Sequence, residues 1–280
     1  MRTPPGLVAL LDQGVVQSVV RPLMSGKEAQ VYLVISDGEE RVAKVYKDAE
    51  HRSFKNRADY TEGRQSRNSR DQRAIKKGSR HGKEQEELAW RSAEVDMIYR
   101  LRAAHVRVPT PYYFLDGVLV MELVKDADGN PAPRLAEVTV DTGQAVRIFE
   151  MLLREVVKML CAGVVHADLS DFNVLMAADG PVIIDFPQSF DAAGNQNART
   201  ILLRDVNNLN RFLVEHGGPE QPNRHGAEMW EKYARGELRP DSVLTGKHKG
   251  SEGRVDLMAL VRELEADERD EQRRRAGREK

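Results

Sequence analysis

His166-Ala167-Asp168-Leu169-Ser170-Asp171-Phe172-Asn173 and, twelve residues past that asparagine, Asp185-Phe186-Pro187 are the stretches on which the reading of this chain turns. The first sets a carboxylate and an amide five residues apart, just after the apolar pair Val164-Val165. The second sets another carboxylate at the end of the apolar run Val182-Ile183-Ile184. Phosphoryl transfer from ATP needs such a set. One aspartate accepts or orients the proton of the acceptor hydroxyl, while an asparagine and a second aspartate hold Mg²⁺ on the phosphates. Either stretch alone is a weak signal, and a lone Asp168 reads more readily as a helix cap. The ordered pair, with a lysine-bearing strand and a glycine turn upstream, is a strong one.

Working outward, Asp-Gly pairs between apolar runs mark hairpins. Gln30 to Ile35 and Arg41 to Lys47 read as strands around Asp37-Gly38. Tyr112–Leu115 and Val118–Leu123 flank Asp116-Gly117, and Val174–Met176 and Val182–Phe186 flank Asp179-Gly180. The last pair joins the two opening stretches, so Asn173 and Asp185 sit at the two ends of one hairpin. Apolar residues at 145, 148, 149, 152, 156, 159 and 160 share one face of a helix over 142–162, and Gly163 suits its end. A second helix over 199–214 turns Ile201, Leu202, Val206, Leu209, Phe212 and Leu213 inward. Residues 5–20 read as a short amphipathic helix, and 83–103 as another. Strands, one helix, more strands, then mostly helices describe an α+β chain with two unequal lobes.

The 280 residues suffice for two cores, and the net charge of −1 carries no global bias toward nucleic acid or membrane. One cysteine, Cys161, excludes an internal disulfide and fits a reducing cytoplasm. The run Leu7–Leu11 stops at Asp12, too short for a signal peptide, and no later run spans a bilayer. Residues 51–83 hold many Arg and Lys, several glycines, Ser53, Ser66, Ser69 and Ser79, and few apolar side chains. That composition reads as a mobile basic loop. Its rival reading is an RNA-binding arm, which the scarcity of interleaved aromatics supports poorly. The chain from about Ser251 turns amphipathic and then almost wholly charged, a solvated tail.

Lys44 lies in Val42-Ala43-Lys44-Val45-Tyr46. Alone it is an ordinary strand lysine; with Glu94 on the following helix it is one half of the pair that positions the α- and β-phosphates. Asp96, two residues on, should face elsewhere. Ser25-Gly26-Lys27 precedes the first hairpin. It is neither a Walker loop nor G-x-G-x-x-G, yet it can bring backbone N–H groups and a hydroxyl to phosphate oxygens. His166 is expected to be a buried histidine bonding backbone around the Asp185 turn rather than a base. No Cys/His cluster has metal-ligand spacing, and no serine sits in a nucleophile elbow.

These residues resemble the RIO-type atypical protein kinases, and within them the first subfamily, over roughly 19–215. Ser25-Gly26-Lys27-Glu28-Ala29-Gln30-Val31-Tyr32 is similar to that family's phosphate loop and Ala43-Lys44-Val45-Tyr46-Lys47 to its lysine strand. The polar insertion before Trp90 to Leu101 resembles its flexible loop and following helix, and Leu119-Val120-Met121-Glu122 its hinge. His166 to Asn173 and Ile184-Asp185-Phe186-Pro187-Gln188-Ser189 resemble its catalytic and metal loops. The resemblance implies a bilobal protein-kinase-like fold, with a helical extension over 1–18, a mainly β N-lobe over 19–121, a mainly α C-lobe over 122–250 and a charged tail over 251–280. It implies ATP as substrate with Mg²⁺ or Mn²⁺. Asp168 would be the catalytic base, Asn173 and Asp185 the metal ligands, and Lys44 with Glu94 the phosphate clamp beside Ser25, Gly26 and Lys27. Met121 would line the adenine pocket, with Glu122 and Val124 offering backbone hydrogen bonds. It further implies serine autophosphorylation, ATPase turnover through a phospho-aspartate at Asp185 in some members, and small-subunit ribosome maturation as the setting in eukaryotes and archaea.

The chain departs from ordinary protein kinases in two places. Ser170 stands where they carry a lysine, and no Ala-Pro-Glu segment follows Asp185, which leaves the protein substrate open. No domain of about ninety residues precedes the phosphate loop, unlike the winged-helix subfamily. Two other readings stay in play. A small-molecule phosphotransferase of the aminoglycoside-kinase kind shares the His-x-Asp…Asn…Asp core, but Ser-Gly-Lys-Glu-Ala and Asp-Phe-Pro-Gln-Ser speak against it. An ATP-gated ribosome-assembly factor would use the basic loop 51–83 and the charged tail to bind ribosomal particles or RNA.

Overall fold

Two Asp-Gly turns shape the N-terminal sheet of the computed structural model, which describes residues 4–26, 29–46, 94–219 and 224–247. The basic loop 51–83, Lys27, the first part of the helix expected from 83 and the tail from 251 lie outside the described residues. Strands β1 (Ser18–Ser25), β2 (Ala29–Ser36), β3 (Glu39–Tyr46), β4 (Pro111–Leu115) and β5 (Val118–Glu122) form one sheet in the order β1-β2-β3-β5-β4, antiparallel throughout. Ser36 pairs with Glu39 and Leu115 with Val118, so Asp37-Gly38 and Asp116-Gly117 are two-residue turns. All four turn residues have positive φ, from 48° to 77°. Asp followed by Gly is the pair that tolerates this, and its twist matches that of the strands it joins.

The helix expected over 5–20 is shorter. Helix α1 (Pro5–Asp12) ends at Gln13, and Gly14, at φ 73°, turns the chain away. Val19 and Val20 beyond it go into β1 instead. Leu7 and Leu10 are fully buried against one face of the sheet, sharing a cluster with Val16, Tyr32, Val34, Ala43, Val118 and Val120.

The other face of the sheet meets helix α2 (94–103) and a larger core. Helix α3 (Thr142–Cys161) is capped by Asp141, whose side chain accepts from Gln144 N–H while Gln144 reaches back to Asp141 N–H. Beyond it come β6 (Val164–Val165), β7 (Val174–Ala177), β8 (Gly180–Ile183), β9 (Phe190–Asp191), α4 (Ala198–Glu215) and α5 (Arg224–Ala234). Leu101, Leu119, Leu152, Leu160, Leu169, Phe186 and Leu209 belong to one continuous core. The α2–β4 connection is bonded into the helical part. Lys158 donates to His105 O (3.2 Å), Arg107 N–H to Glu155 (2.8 Å) and Ile183 N–H to Arg107 O (2.9 Å). An antiparallel sheet on a helical part is the bilobal, protein-kinase-like arrangement of an α+β chain.

The third hairpin differs from expectation in two details. Ala177 pairs with Gly180, so the turn residues are Ala178-Asp179 rather than Asp179-Gly180. Strand β8 ends at Ile183 instead of Phe186, because Asp185 takes a left-handed backbone (φ 71°) that no ladder accommodates.

Helix α1 is expected to be an integral part of the N-terminal core. Leu10→Ala deletes a fully buried side chain and should cost about 2–5 kcal/mol of unfolding free energy. Denaturant unfolding reads this directly, and a loss below about 0.5 kcal/mol, the range of an ordinary surface substitution, would show α1 undocked in solution.

Candidate active site

Strand β3 presents Lys44 on the face of the sheet toward α2. There Lys44 Nζ donates to Glu94 Oε1 (2.7 Å) and to Asp185 Oδ1 (2.8 Å). Glu94 is buried at the first described residue of α2, whereas Asp96 is exposed, as their spacing on a helix requires. Burial alone would lower the ammonium's pKa, but the Asp185 and Glu94 carboxylates outweigh it and hold Lys44 well above its ordinary value. Burial would likewise raise the Asp185 carboxyl; Lys44, by charge and by hydrogen bond, holds it below its ordinary value. Lys44 is a cation and Asp185 an anion at neutral pH. Beside them lies a small cavity of about 20 Å³, lined in part by Ile98, Leu119, Met121 and Phe186.

The second loop begins where β6 ends. Ala167 is held at φ 69°, a conformation that costs a non-glycine residue about 1–3 kcal/mol unless its surroundings enforce it. The surroundings are on α4. Asp205 accepts from Ala167 N–H (2.8 Å) and Leu169 N–H (3.4 Å), Arg204 Nη2 donates to Ala167 O (2.5 Å) and Asn208 Nδ2 to Leu169 O (3.0 Å). Asp168, between the two anchored residues, is exposed. Asn173 Nδ2 donates to Asp168 O (2.7 Å) and to Asp168 Oδ2 (3.2 Å), which leaves Asn173 Oδ1 as its acceptor end. The loop thus holds a reachable carboxylate and an oriented amide oxygen, and its Asn173 is joined to the Asp185 loop through the backbone.

The Asp185 loop is tied to the same network. His166 is buried, and its Nε2 lies 3.1 Å from Ile184 O, with the ring 5.0 Å from that of Phe186. This is the backbone-bonding histidine expected from the sequence. Burial pushes its pKa down to about 4, so the ring is neutral at pH 7. Ser189 Oγ donates to His166 O (3.1 Å), and Ile184 N–H donates to Asn173 O (3.0 Å).

The remaining candidates sit as follows. Ser25 pairs with Gln30 at the end of the β1–β2 ladder, and Gly26 N–H donates to Ala29 O (2.9 Å), making a tight turn. Met121 lines the small cavity from β5. Glu122 N–H is engaged by Thr110 O (2.8 Å) and its carboxylate by Thr110 N–H and Oγ1, so only its carbonyl could meet an adenine. The Val124 carbonyl accepts from Ala132 N–H (2.9 Å), which leaves its N–H for that purpose.

Asp205 is the residue the sequence reading missed. It sits three or four residues from Ile201, Leu202 and Leu209, on the apolar stripe of α4, and a carboxylate there is itself a signal of a buried partner. Burial pushes its carboxyl up to about 7, against the pull of Arg204 and the two N–H donors.

Two outcomes follow from this network. Asp205→Asn replaces one acceptor oxygen by a donor facing a backbone N–H; it should cost about 1–3 kcal/mol and speed hydrogen exchange at Ala167 and Leu169, read by mass spectrometry or NMR. Unchanged exchange there would remove the anchor role. For His166 the folded pKa lies below the unfolded one. Its contribution is therefore present above pH 6.5 and is lost as pH falls toward 4. Relative to wild type, His166→Gln should gain about 3 kcal/mol in unfolding free energy between pH 7.5 and 4. A pH-independent difference would show that the ring titrates normally.

Comparison with known proteins is consistent with this geometry. The family model of the RIO domain (RIO1) matches residues 30–225. The chain is 33% identical over 209 residues to the RIO-type serine/threonine-protein kinase Rio1 of Haloferax volcanii, covering 74% of this chain and 67% of that one. It is 31% identical over 218 residues to the human serine/threonine-protein kinase RIO1, covering 77% of this chain and 36% of the human one. The relative in Schizosaccharomyces pombe is 27% identical over 218 residues, 76% of this chain and 41% of its own length. The chain therefore spans about two thirds of the archaeal protein and well under half of the human and yeast ones. With its two-lobed fold and the matched segment running from β2 to the start of α5, the chain belongs to the RIO1-type serine/threonine kinase family.

Proposed function

We propose that this chain transfers the γ-phosphoryl group of ATP to a serine or threonine hydroxyl, with Mg²⁺ or Mn²⁺, and that it phosphorylates itself. The observation that carries the reading is the meeting of Lys44, Glu94 and Asp185 in one ion cluster beside the Asp168–Asn173 loop. In this reading 19–121 and 122–250 act as the two lobes, and adenine meets the Glu122 carbonyl and the Val124 N–H. Lys44, positioned by Glu94, contacts the α- and β-phosphates near Ser25 and Gly26. Asp168 orients the acceptor hydroxyl and takes its proton as the oxygen attacks the γ-phosphorus and the bond to the β-phosphate oxygen breaks.

The donors suit a hard cation, being oxygens: Asn173 Oδ1 and the Asp185 carboxylate. Among the described residues no group of three or more His, Cys, Asp or Glu side chains could hold a metal ion alone, so phosphate and water oxygens would complete the shell. Bound there, the ion would offset the negative charge of the β- and γ-phosphate oxygens. Among the described residues no helix is long and apolar enough to cross a membrane. The single cysteine supports a cytoplasmic setting.

Incubation with Mg-ATP followed by peptide mass spectrometry is expected to show phosphoserine or phosphothreonine. Asp168→Asn should lower the rate about 10²–10⁴-fold while ATP affinity holds. Asp185→Asn should lose the metal-dependent part of ATP binding. Wild-type turnover in Asp168→Asn, or metal-independent ATP binding in wild type, would overturn these roles. Release of inorganic phosphate with a hydroxylamine-sensitive phosphoprotein would instead identify ATPase turnover through Asp185.

A further inference from the structure

Arg134 lies between β5 and α3, and the backbone on either side of it is fixed. Met176 N–H donates to Pro133 O (2.9 Å), Arg134 forms an isolated bridge with Leu175, and Arg134 N–H donates to Glu137 Oε2 (3.2 Å). Leu175 stands two residues past Asn173, so Arg134 is held against the strand that leaves the Asp168–Asn173 loop. Its side chain reaches the opposite lobe: Nη2 donates to Met24 Sδ at 3.0 Å. Met24 directly precedes the Ser25-Gly26 turn. Arg134 therefore touches both edges of the cleft in which Lys44 and Asp185 meet, and its positive charge is felt at the Asp185 carboxylate.

The donors of this arginine are poorly met. A thioether sulfur is a weak acceptor. The Nε atom is sealed from solvent without an acceptor, and Arg134 forms no ion pair with any described residue. Around it the cleft carries three carboxylates, Glu94, Asp168 and Asp185, and Lys44 is already engaged by two of them. A nucleotide triphosphate adds further negative charge to that site. A guanidinium is a planar fork of donors that matches phosphate oxygens two at a time, and its charge is retained at every working pH.

We propose that Arg134 binds the polyphosphate of the nucleotide, exchanging its contact with Met24 Sδ for phosphate oxygens and tying the catalytic-loop side of the cleft to the Ser25-Gly26 turn. This rests on the ATP reading above. It adds a second phosphate-binding cation, contributed by the opposite lobe from Lys44.

Calorimetric titration of the full chain with adenosine and with ATP, in Mg²⁺, separates the two readings. Arg134→Leu keeps an apolar stem against Met24 and removes the charge. ATP affinity should fall about 10-fold or more, as expected for loss of charged hydrogen bonds, while adenosine affinity stays at the wild-type value. Arg134→Lys should recover part of the loss. If Arg134→Leu does not fold, Arg134→Gln takes its place with the same expectations. Unchanged ATP affinity in the variant, or equal weakening of ATP and adenosine, would overturn the proposal while leaving the ATP reading intact. A wild-type protein that binds no ATP would overturn the ATP reading and this proposal with it.

Discussion

One ammonium between two carboxylates holds the elements of the candidate site in register. Lys44 comes from the sheet, Glu94 from α2 and Asp185 from the loop after β8, and the three meet within 2.8 Å. A buried cation with a single partner would be costly, and a buried carboxylate with none more so. Removing Lys44 would leave two carboxylates without their counter-ion, one of them the buried Glu94, so the relative placement of the three elements depends on that one ammonium. The apolar packing around them, with Ile98 and Leu119 against Phe186, keeps the local dielectric low and so strengthens the pairings.

Around this cluster the Asp168–Asn173 and Asp185 loops are held in backbone conformations that an isolated chain would avoid. Ala167 and Asp185 both have positive φ, and neither is glycine. Asp205, Arg204 and Asn208 hold the first from α4; His166 and the Ile184–Asn173 bond hold the second. His166 links the two loops: its Nδ1 accepts from Asp168 N–H (3.2 Å), its Nε2 lies 3.1 Å from Ile184 O, and its carbonyl accepts from Ser189 Oγ. Strain of this kind is stable only where the scaffold over-determines it, and its effect is to fix Asp168, Asn173 and Asp185 before any ligand arrives. The α2–β4 connection extends the same rigidity to Glu94, because its backbone is bonded to α3 and β8.

Much of this was legible in the residues. Asp37-Gly38 and Asp116-Gly117 announced their hairpins because only positive-φ residues close a two-residue turn with the right twist. The apolar stripe of α3 and the Gly163 stop set that helix, and the Lys44–Glu94 and Asp168–Asn173 spacings marked the candidate site. What the residues left undecided lay where tertiary contacts override local preference. The helix expected over 5–20 stopped at Asp12 because Val16 and the residues after it gain more from the sheet. Strand β8 stopped at Ile183 because Asp185 is bent into a conformation that Lys44 and His166 reward. Asp205 stood in plain view on an apolar stripe, but its partners are two backbone N–H groups more than thirty residues earlier in the chain.

The sequence by itself determined the order of elements, the turns and the identity of the charged and polar groups, since these follow from φ preference, periodicity and chemistry within a few residues. Only the tertiary structure decided which of those groups meet. Lys44 and Asp185 are 141 residues apart in the chain, and no local rule brings them to 2.8 Å. Their meeting is set by how the sheet packs on α2 and by the bonds that tie the Asp185 loop to His166 and Asn173, and burial of Lys44 and Glu94 makes either charge too costly to leave unpaired.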